Sequence, residues 1–217
     1  MNIEIRSGRV IDPGNGVDRN MSLFIAEGRV AGVGEAPAGF VAARTVDAGG
    51  CIVSPGLIDL SARLKRIEAE LAAAVAGGVT SVVVPPDAVP PLDEPELADR
   101  LIHRAKEIGK ARVLPLGALT MGLQGERLAE LAGLRKAGCV AFSQAMVPVV
   151  DTEALLRALE YAATFAFPVW LEPQDYWLSR NGIAHDGEVA SRLGLAGIPV
   201  AAETIAIATI LQLVRAP

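Results

Sequence analysis

The sequence predicts an α/β protein in two parts, a small β-domain over residues 1–51 and a series of strand–helix units over residues 52–217. Before residue 51, short runs of alternating polar and apolar side chains are bounded by turns, which is typical of a small sheet. After residue 51, continuous apolar runs alternate with segments of helical period. Strand and helix recur about every 30 residues, the size of one βαβ unit, so we expect a parallel sheet covered by helices.

The β-domain is predicted from short strand-like runs separated by turns. The residues Asp12-Pro13-Gly14 mark one turn, and Ala26-Glu27 connects two runs as a hairpin would. The runs lie at residues 3–6, 8–11, 22–25 and 28–34. We therefore expect the N-terminal part of a small β-sandwich.

The second part is predicted from five strand-like runs and the helices between them. The strands are expected at residues 52–53 together with 57–60, then at 79–84, 111–116, 139–142 and 168–171. Four helices show apolar stripes of period 3.6. Their stripes are Ile67, Leu71, Ala74 and Val75; Leu97, Leu101, Ala105 and Ile108; Leu128, Leu131 and Leu134; and Leu155, Leu156, Leu159 and Ala163.

Helix boundaries are predicted from capping residues. Gly77-Gly78 is expected to end the first helix, while Asp93 with Glu96 and Asp151-Thr152 are expected to open the second and fourth. A last helix is expected over residues 202–215.

Two architectures fit this order of elements, an open doubly wound sheet and a (β/α)8 barrel. No Gly-x-Gly-x-x-Gly follows a strand, so a dinucleotide-binding sheet has no support. We count about five to six βα units, and a closed barrel needs eight. The expectation is therefore an incomplete barrel, the first part of a longer barrel protein.

Composition excludes several classes of protein. A formal net charge of −5 and the lack of a basic run argue against nucleic acid as a partner. No apolar run approaches the roughly 20 residues of a membrane span, and the N-terminus does not resemble a signal peptide. Cys51 and Cys139 each begin an apolar run, so we expect two buried free thiols and a cytoplasmic location.

Four blocks of sequence, taken in order, resemble the N-terminal region of dihydroorotases, which are cyclic amidohydrolases. They are Gly-Arg-Val-Ile-Asp-Pro-Gly at residues 8–14, and residues 25–30, 46–50 and 55–59, the last reading Pro-Gly-Leu-Ile-Asp. The resemblance continues through residues 76–80, 138–143, 187–195 and 197–204. It implies an amidohydrolase-type (β/α)8 barrel preceded by a small β-domain, with catalytic zinc in the active relatives.

Carried over residue by residue, the resemblance finds the family's catalytic groups replaced. Two metal-binding histidines of the first barrel strand correspond to Ser61 and Arg63, and a substrate-binding asparagine corresponds to Pro86. A metal-binding aspartate corresponds to Gln144, and the histidine of the fifth strand to Glu172. The family's Arg-Glu-Pro-Gly segment after the first strand is missing, and its later catalytic residues correspond to positions beyond Pro217. We therefore expect no catalytic residue, no metal and no cofactor.

The chemistry of the replacements supports this expectation without the resemblance. Ser61 is a poor ligand when neutral, and Arg63 is a permanent cation that repels a divalent ion. We expect Arg63 and Glu172 to fill the former metal site by neutralising each other.

The other ionisable residues offer no stronger site. His103 falls on the polar side of its helix, and we expect it to be solvated, whereas His185 lies in a loop that could reach the barrel mouth. The carboxylates of Asp59, Asp87 and Asp151 are expected to cap helices or to pair with Arg63. No serine lies in a Gly-x-Ser-x-Gly turn.

The Ser-Ala-Arg form at residues 61–63 resembles the non-catalytic dihydroorotase-like chains of some bacteria, which associate with aspartate carbamoyltransferase. Matching segments include residues 59–64, 85–87, 91–95, 142–145, 147–152 and 158–165. The resemblance implies a pseudoenzyme that acts in pyrimidine biosynthesis as an assembly partner. Two alternatives stay open: a cyclic-amide hydrolase (dihydroorotase or hydantoinase-like) with an atypical site, and a small-molecule binding module. The unpaired edges of an incomplete barrel also predict self-association.

Overall fold

A computed structural model of the protein describes residues 1–215, which form two compact units. The first unit ends at Gly56 and the second begins at Leu57. The boundary predicted from the sequence lies at residue 51. The difference arises because Ile52–Val53, expected to open the barrel, pairs instead with the first strand of the first unit.

The first unit is one mixed sheet of five strands: β1 (Ile3–Asp12), β2 (Val17–Ala26), β3 (Arg29–Val33), β4 (Arg44–Asp47) and β5 (Ile52–Val53). β2 is antiparallel to β1 and to β3, whereas β4 and β5 run parallel to β1. The predicted hairpin is confirmed, and its turn residues Glu27 and Gly28 both have positive φ. The two strand-like runs at residues 3–6 and 8–11 form one strand with a bulge between Ile5 and Gly8.

The second unit is built on five parallel strands: β6 (Leu57–Asp59), β7 (Val79–Val84), β8 (Arg112–Ala118), β9 (Ala141–Ser143) and β10 (Val169–Trp170). Their spatial order is the same as their order in the chain. A doubly wound sheet reverses its strand order at a switch point, and this sheet does not. The sheet is therefore part of a curled barrel, as predicted.

Seven helices of the described chain accompany these strands: α1 (Ile67–Ala76), α2 (Pro95–Ile108), α3 (Leu131–Lys136), α4 (Thr152–Thr164), α5 (Tyr176–Ser179), α6 (Glu188–Leu193) and α7 (Val200–Val214). Between α5 and α7, β11 (Ala184–His185) pairs in parallel with β12 (Gly197–Ile198). In the described part of the chain, no helix is long and apolar enough to cross a membrane.

Two of the predicted helix starts need correction. Asp93 does not cap α2, because its Oδ2 accepts a hydrogen bond of 2.6 Å from the amide of Gly122 and the capping residue is Glu94. The third helix begins at Leu131, later than predicted, because Leu128 forms a β-bridge with Thr120. The prediction for α4 is confirmed, since the Asp151 carboxylate accepts from the amides of Glu153 and Ala154.

Alternate side chains of β7 support two different cores. Val82 and Val84 pack with Leu71 of α1 and Ala105 of α2, whereas Val83 packs with Leu116 and Ala141 on the opposite face of the sheet. A further cluster joins β9 to α3 and α4 through Phe142, Leu131, Leu134, Leu119 and Ala158. Burying each large apolar side chain stabilises the fold by about 2 kcal/mol, so these clusters fix the strand ends in place.

The two cysteines have different environments. Cys139 is a buried free thiol, as predicted, and lies in the cluster around Phe142. Cys51 is also free but exposed, so the prediction of burial was wrong there. It precedes a strand of only two residues, too short to cover it.

Candidate functional site

The residues singled out from the sequence all follow the strands of the parallel sheet. Ser61 and Arg63 come after β6, Pro86 after β7, Gln144 directly after β9 and Glu172 after β10. The carboxyl ends of parallel strands lie at one edge of a sheet, and this is where sites of barrel proteins form. The fold therefore places all five positions at the same end of the second unit.

Arg63 pairs with Asp87 and not with Glu172. The guanidinium Nε and Nη2 each lie 2.8 Å from Oδ2 of Asp87. The amide of Ala62 donates to the carbonyl of Val83 at 2.9 Å, which holds the segment after β6 beside the end of β7. The predicted Arg63–Glu172 pair is wrong because β6 neighbours β7, whereas β10 is the opposite edge of the sheet.

The ion pair is only partly shielded from water. The side chains of Arg63 and Asp87 are 44% and 25% exposed. Solvent at that exposure limits the stabilisation to about 1 kcal/mol or less. The electrostatic effect is still clear: a fixed cation stands where the resemblance places a metal-binding imidazole.

Ser61 lies in a tight turn that ends β6. Its amide donates to Oδ1 of Asp59 at 2.9 Å, the arrangement of an Asx turn. The carboxylate of Asp59 is therefore used for local structure. Ser61 itself is exposed.

Gln144 is buried in a closed network of hydrogen bonds. Only 2% of the residue is exposed, and its Nε2 donates to Oγ1 of Thr120 at 2.8 Å. The Thr120 hydroxyl also accepts from the amide of Gly125 at 2.9 Å and lies 3.1 Å from Oε1 of Gln144. A neutral amide that is satisfied in this way is not a ligand for a divalent cation.

Thr120 is the residue of this network that the sequence reasoning missed. The available signal was a polar side chain two residues after the end of β8, at the same edge of the sheet. Only 1% of Thr120 is exposed.

Pro86 is buried at the end of β7 and offers no polar side chain. Its carbonyl accepts from the amide of Leu92 at 3.0 Å, which closes the loop before α2. The amide contacts that asparagine makes with a substrate in the family cannot be made from this position.

Glu172 is exposed and lines two cavities. One, of about 150 Å³, lies beside Gln144, α5 and α7. The other, of about 320 Å³, is also lined by His185 and Glu203. His185 thus comes to the same cavity as Glu172, whereas His103 is exposed on α2 with Nδ1 3.8 Å from Asp99.

The donor groups at this edge do not fit zinc. Within residues 1–215, no group of three His, Cys, Asp or Glu side chains is placed to hold a metal ion. A hydrolytic zinc site needs about three imidazole or anionic ligands with an open position. Here Asp87 is bound to Arg63, Gln144 is neutral, and Glu172 is a single carboxylate.

Nucleophilic catalysis by cysteine is also disfavoured. Burial raises the pKa of the Cys139 thiol to about 12, so the thiol stays protonated at neutral pH. The hydroxyl of Ser143 is buried and accepts from the amide of Ala145 at 3.0 Å. Neither group faces a base in the hydrogen bonds of the described chain.

Comparison with known proteins gives consistent results for sequence and fold. The family described as dihydro-orotase-like matches residues 50–217. The dihydroorotase-like protein of Pseudomonas putida is 48% identical over 223 aligned positions, covering 99% of this chain and 53% of that protein. The dihydroorotase of Pelobacter propionicus is 44% identical, covering 96% of this chain and 51% of that enzyme.

The solved L-hydantoinase (dihydropyrimidinase) of Arthrobacter aurescens has a similar fold, with a TM-score of 0.75 at 20% identity. That alignment covers 97% of this chain and 50% of the hydantoinase. The chain spans about half the length of the curated relatives it matches.

Proposed function

Because this chain belongs to the dihydroorotase-like family, we propose that it is a catalytically inactive member that supports the assembly of aspartate carbamoyltransferase in cytoplasmic pyrimidine biosynthesis. The observation that carries the proposal is the Arg63–Asp87 ion pair at the end of β6 and β7. A metal-dependent hydrolase of this family needs imidazoles there, and a guanidinium repels the divalent ion.

The remaining replacements support the loss of catalysis. Gln144 uses its side-chain amide to bind Thr120, whose hydroxyl also accepts from the amide of Gly125, and Pro86 has no side-chain donor or acceptor. A water nucleophile would lack the metal that lowers the pKa of bound water in metal-dependent hydrolases.

Two observations support the assembly role. The segments that resemble non-catalytic chains include the Arg63 segment and the loop after β9, both at the altered site. The relative from Pseudomonas putida carries the name dihydroorotase-like protein, and it is somewhat more similar than the dihydroorotase of Pelobacter propionicus. Selection for a scaffold role keeps the barrel fold, while the residues that bind metal in active relatives are free to change.

The test has two independent parts. The chain is co-expressed with the catalytic chain of aspartate carbamoyltransferase from its own source, and the complex is sought by size-exclusion chromatography with light scattering. Ring opening of dihydroorotate is measured on the same preparation with added zinc. A stable complex without turnover supports the proposal. Turnover contradicts the loss of catalysis, and failure to associate contradicts the assembly role.

One further candidate, a cyclic-amide hydrolase with an atypical site, is favoured by the cavity that Glu172 shares with His185. A carboxylate and an imidazole are a sufficient pair for general acid–base chemistry. Turnover of dihydroorotate or a hydantoin that is lost in both Glu172→Gln and His185→Gln would establish this function in place of the scaffold.

A further inference from the structure

We propose that the smaller cavity beside Glu172 binds a small organic cation, an ammonium or amidinium group carried on a short apolar chain. We call it the Glu172 cavity. The inference does not depend on the assembly role, because it rests on the walls, charge and aromatic rim of the cavity itself.

About half of the wall of the Glu172 cavity is apolar. The loop after β9, the start of α4, the end of β10 and one face of α7 contribute Val149, Leu155, Leu171 and Ile210. Its volume of about 150 Å³ has room for about five water-sized groups. An alkyl chain of about four carbons gains free energy by leaving water for such walls, at about 0.8 kcal/mol per methylene.

The Glu172 side chain places a negative charge at the cavity. Within residues 1–215, the Glu172 carboxylate has no hydrogen-bond or ion-pair partner. Two other polar groups along the wall are already used, since Gln144 pairs with Thr120 and Asp175 accepts from the amide of Leu178 at 2.9 Å. A carboxylate beside apolar surface is stabilised by a cation, and a bound anion would be repelled.

Aromatic side chains at the rim favour the same ligand. Tyr176 and Trp177 both line the cavity and lie edge to face, with ring centroids 5.0 Å apart. The guanidinium of Arg180 stands 4.6 Å from the centroid of the Trp177 ring, so the ring already attracts a cation. Trp177 is 61% exposed, which leaves ring surface available to a second cation.

The backbone at the cavity is held in a strained conformation. Ala145 lines the cavity and has a φ of 51°. This is the left-handed region, which is unfavourable for residues that carry a Cβ atom. Such a residue costs about 1 kcal/mol or more and persists when its surroundings hold it. The buried Gln144 and the hydrogen bond from Ala145 to Ser143 supply that support, so the loop is formed before a ligand arrives.

The test compares three probes of one shape on the unaltered chain: butylammonium, 1-butanol and butyrate. Binding is followed by the chemical shifts of the Trp177 indole N–H in nuclear magnetic resonance titrations, with Trp170 as internal reference. We expect saturable shifts with butylammonium at an affinity about tenfold above that of butanol, and none with butyrate. Equal binding of butylammonium and butanol would overturn the proposal.

Glu172→Gln, which preserves size and removes the charge, should lower the butylammonium affinity about tenfold, whereas Glu96→Gln on the exposed start of α2 should not change it. Circular dichroism and the melting temperature verify that both variants fold. Unchanged affinity in folded Glu172→Gln contradicts the assignment. If that variant fails to fold, the three-probe comparison on the unaltered chain decides alone.

Discussion

Arg63 donates a hydrogen bond of 2.8 Å from Nε to Oδ2 of Asp87, and its Nη2 lies 2.8 Å from the same oxygen as an ion pair. The pair joins the ends of β6 and β7, two strands that neighbour each other in the sheet. It puts a cation at the position that the resemblance assigns to a metal-binding histidine. The following predictions test this pair and the groups around it.

The interaction between Arg63 and Asp87 should make a small but measurable contribution to the free energy of unfolding. A double-mutant cycle of Arg63→Ala and Asp87→Ala should give a coupling of about 0.5–1 kcal/mol in urea denaturation, since both side chains are partly exposed. The coupling should shrink in 1 M salt because screening weakens it. The more exposed Arg104–Glu107 pair, whose contact is 3.2 Å, is the control and should couple less; a coupling no larger than the control's would show that the pair is incidental.

Zinc should not bind stoichiometrically to the unaltered chain. The triple variant Ser61→His, Arg63→His and Gln144→Asp restores two imidazoles and a carboxylate and removes the cation, so it should bind zinc more tightly. Equilibrium dialysis with metal analysis by mass spectrometry measures both. One tightly bound zinc per unaltered chain would refute the reading of Arg63 as a repelling charge.

Thr120 should be needed for the stability of the second unit. Thr120→Val keeps the shape but leaves the buried amide of Gln144 and that of Gly125 without a partner, and should cost about 1–3 kcal/mol of unfolding free energy. Thr120→Ser keeps the hydroxyl and should recover much of the loss. The exposed Thr204, whose hydroxyl bonds to Val200, is the control, and Thr204→Val should have little effect.

The thiols should differ in reactivity and in their contribution to pH dependence. At pH 8 a disulfide reagent should label Cys51 in the native protein and Cys139 only after unfolding; Cys51→Ser should remove the fast phase. Burial raises the folded pKa of Cys139 from 9.0 to about 12. The pKa of Cys139 is higher in the folded state than in the unfolded state. Its contribution to the free energy of unfolding is therefore fully present below the unfolded-state pKa and should fall as pH rises from about 9 to 12. Rapid labelling of two sites in the native unaltered chain would contradict this assignment, provided that native Cys139→Ser is labelled at only one site.

Self-association through the open edge of the sheet should depend on concentration. β6 is an edge strand of the second unit, and Leu57 and Ile58 are each 60% exposed. Charged residues on edge strands discourage pairing, so Ile58→Lys should lower the weight-average mass seen by sedimentation equilibrium. Val89→Lys, on an exposed loop, is the control; identical masses for all three proteins would exclude this edge.

The fold was largely predictable because its signals are local. The apolar runs of β7 and β8, and the Asp151 cap of α4, are decided by neighbouring residues. The partner of Arg63 was predicted only as one of several carboxylates, Asp59, Asp87, Asp151 or Glu172. Both Asp87 and Glu172 follow strands of one sheet, and choosing between them requires the strand order, which is a tertiary property.

The network around Gln144 illustrates the same limit. The sequence marks Gln144 as a replacement, but its partner Thr120 lies 24 residues earlier in the chain. The burial of Cys51 was overestimated for a related reason, since an apolar run predicts a strand without stating how much of it is covered.

The sequential order of β6 to β10 has a consequence for how the second unit forms during synthesis. Each strand pairs only with those made just before and just after it, so every new strand finds its partner already in place. Each step closes only one strand–helix crossover of about 30 residues, which suits vectorial folding as the strands emerge. Within the described chain, β10 is the latest strand of this sheet, and it pairs with β9, which is made just before it.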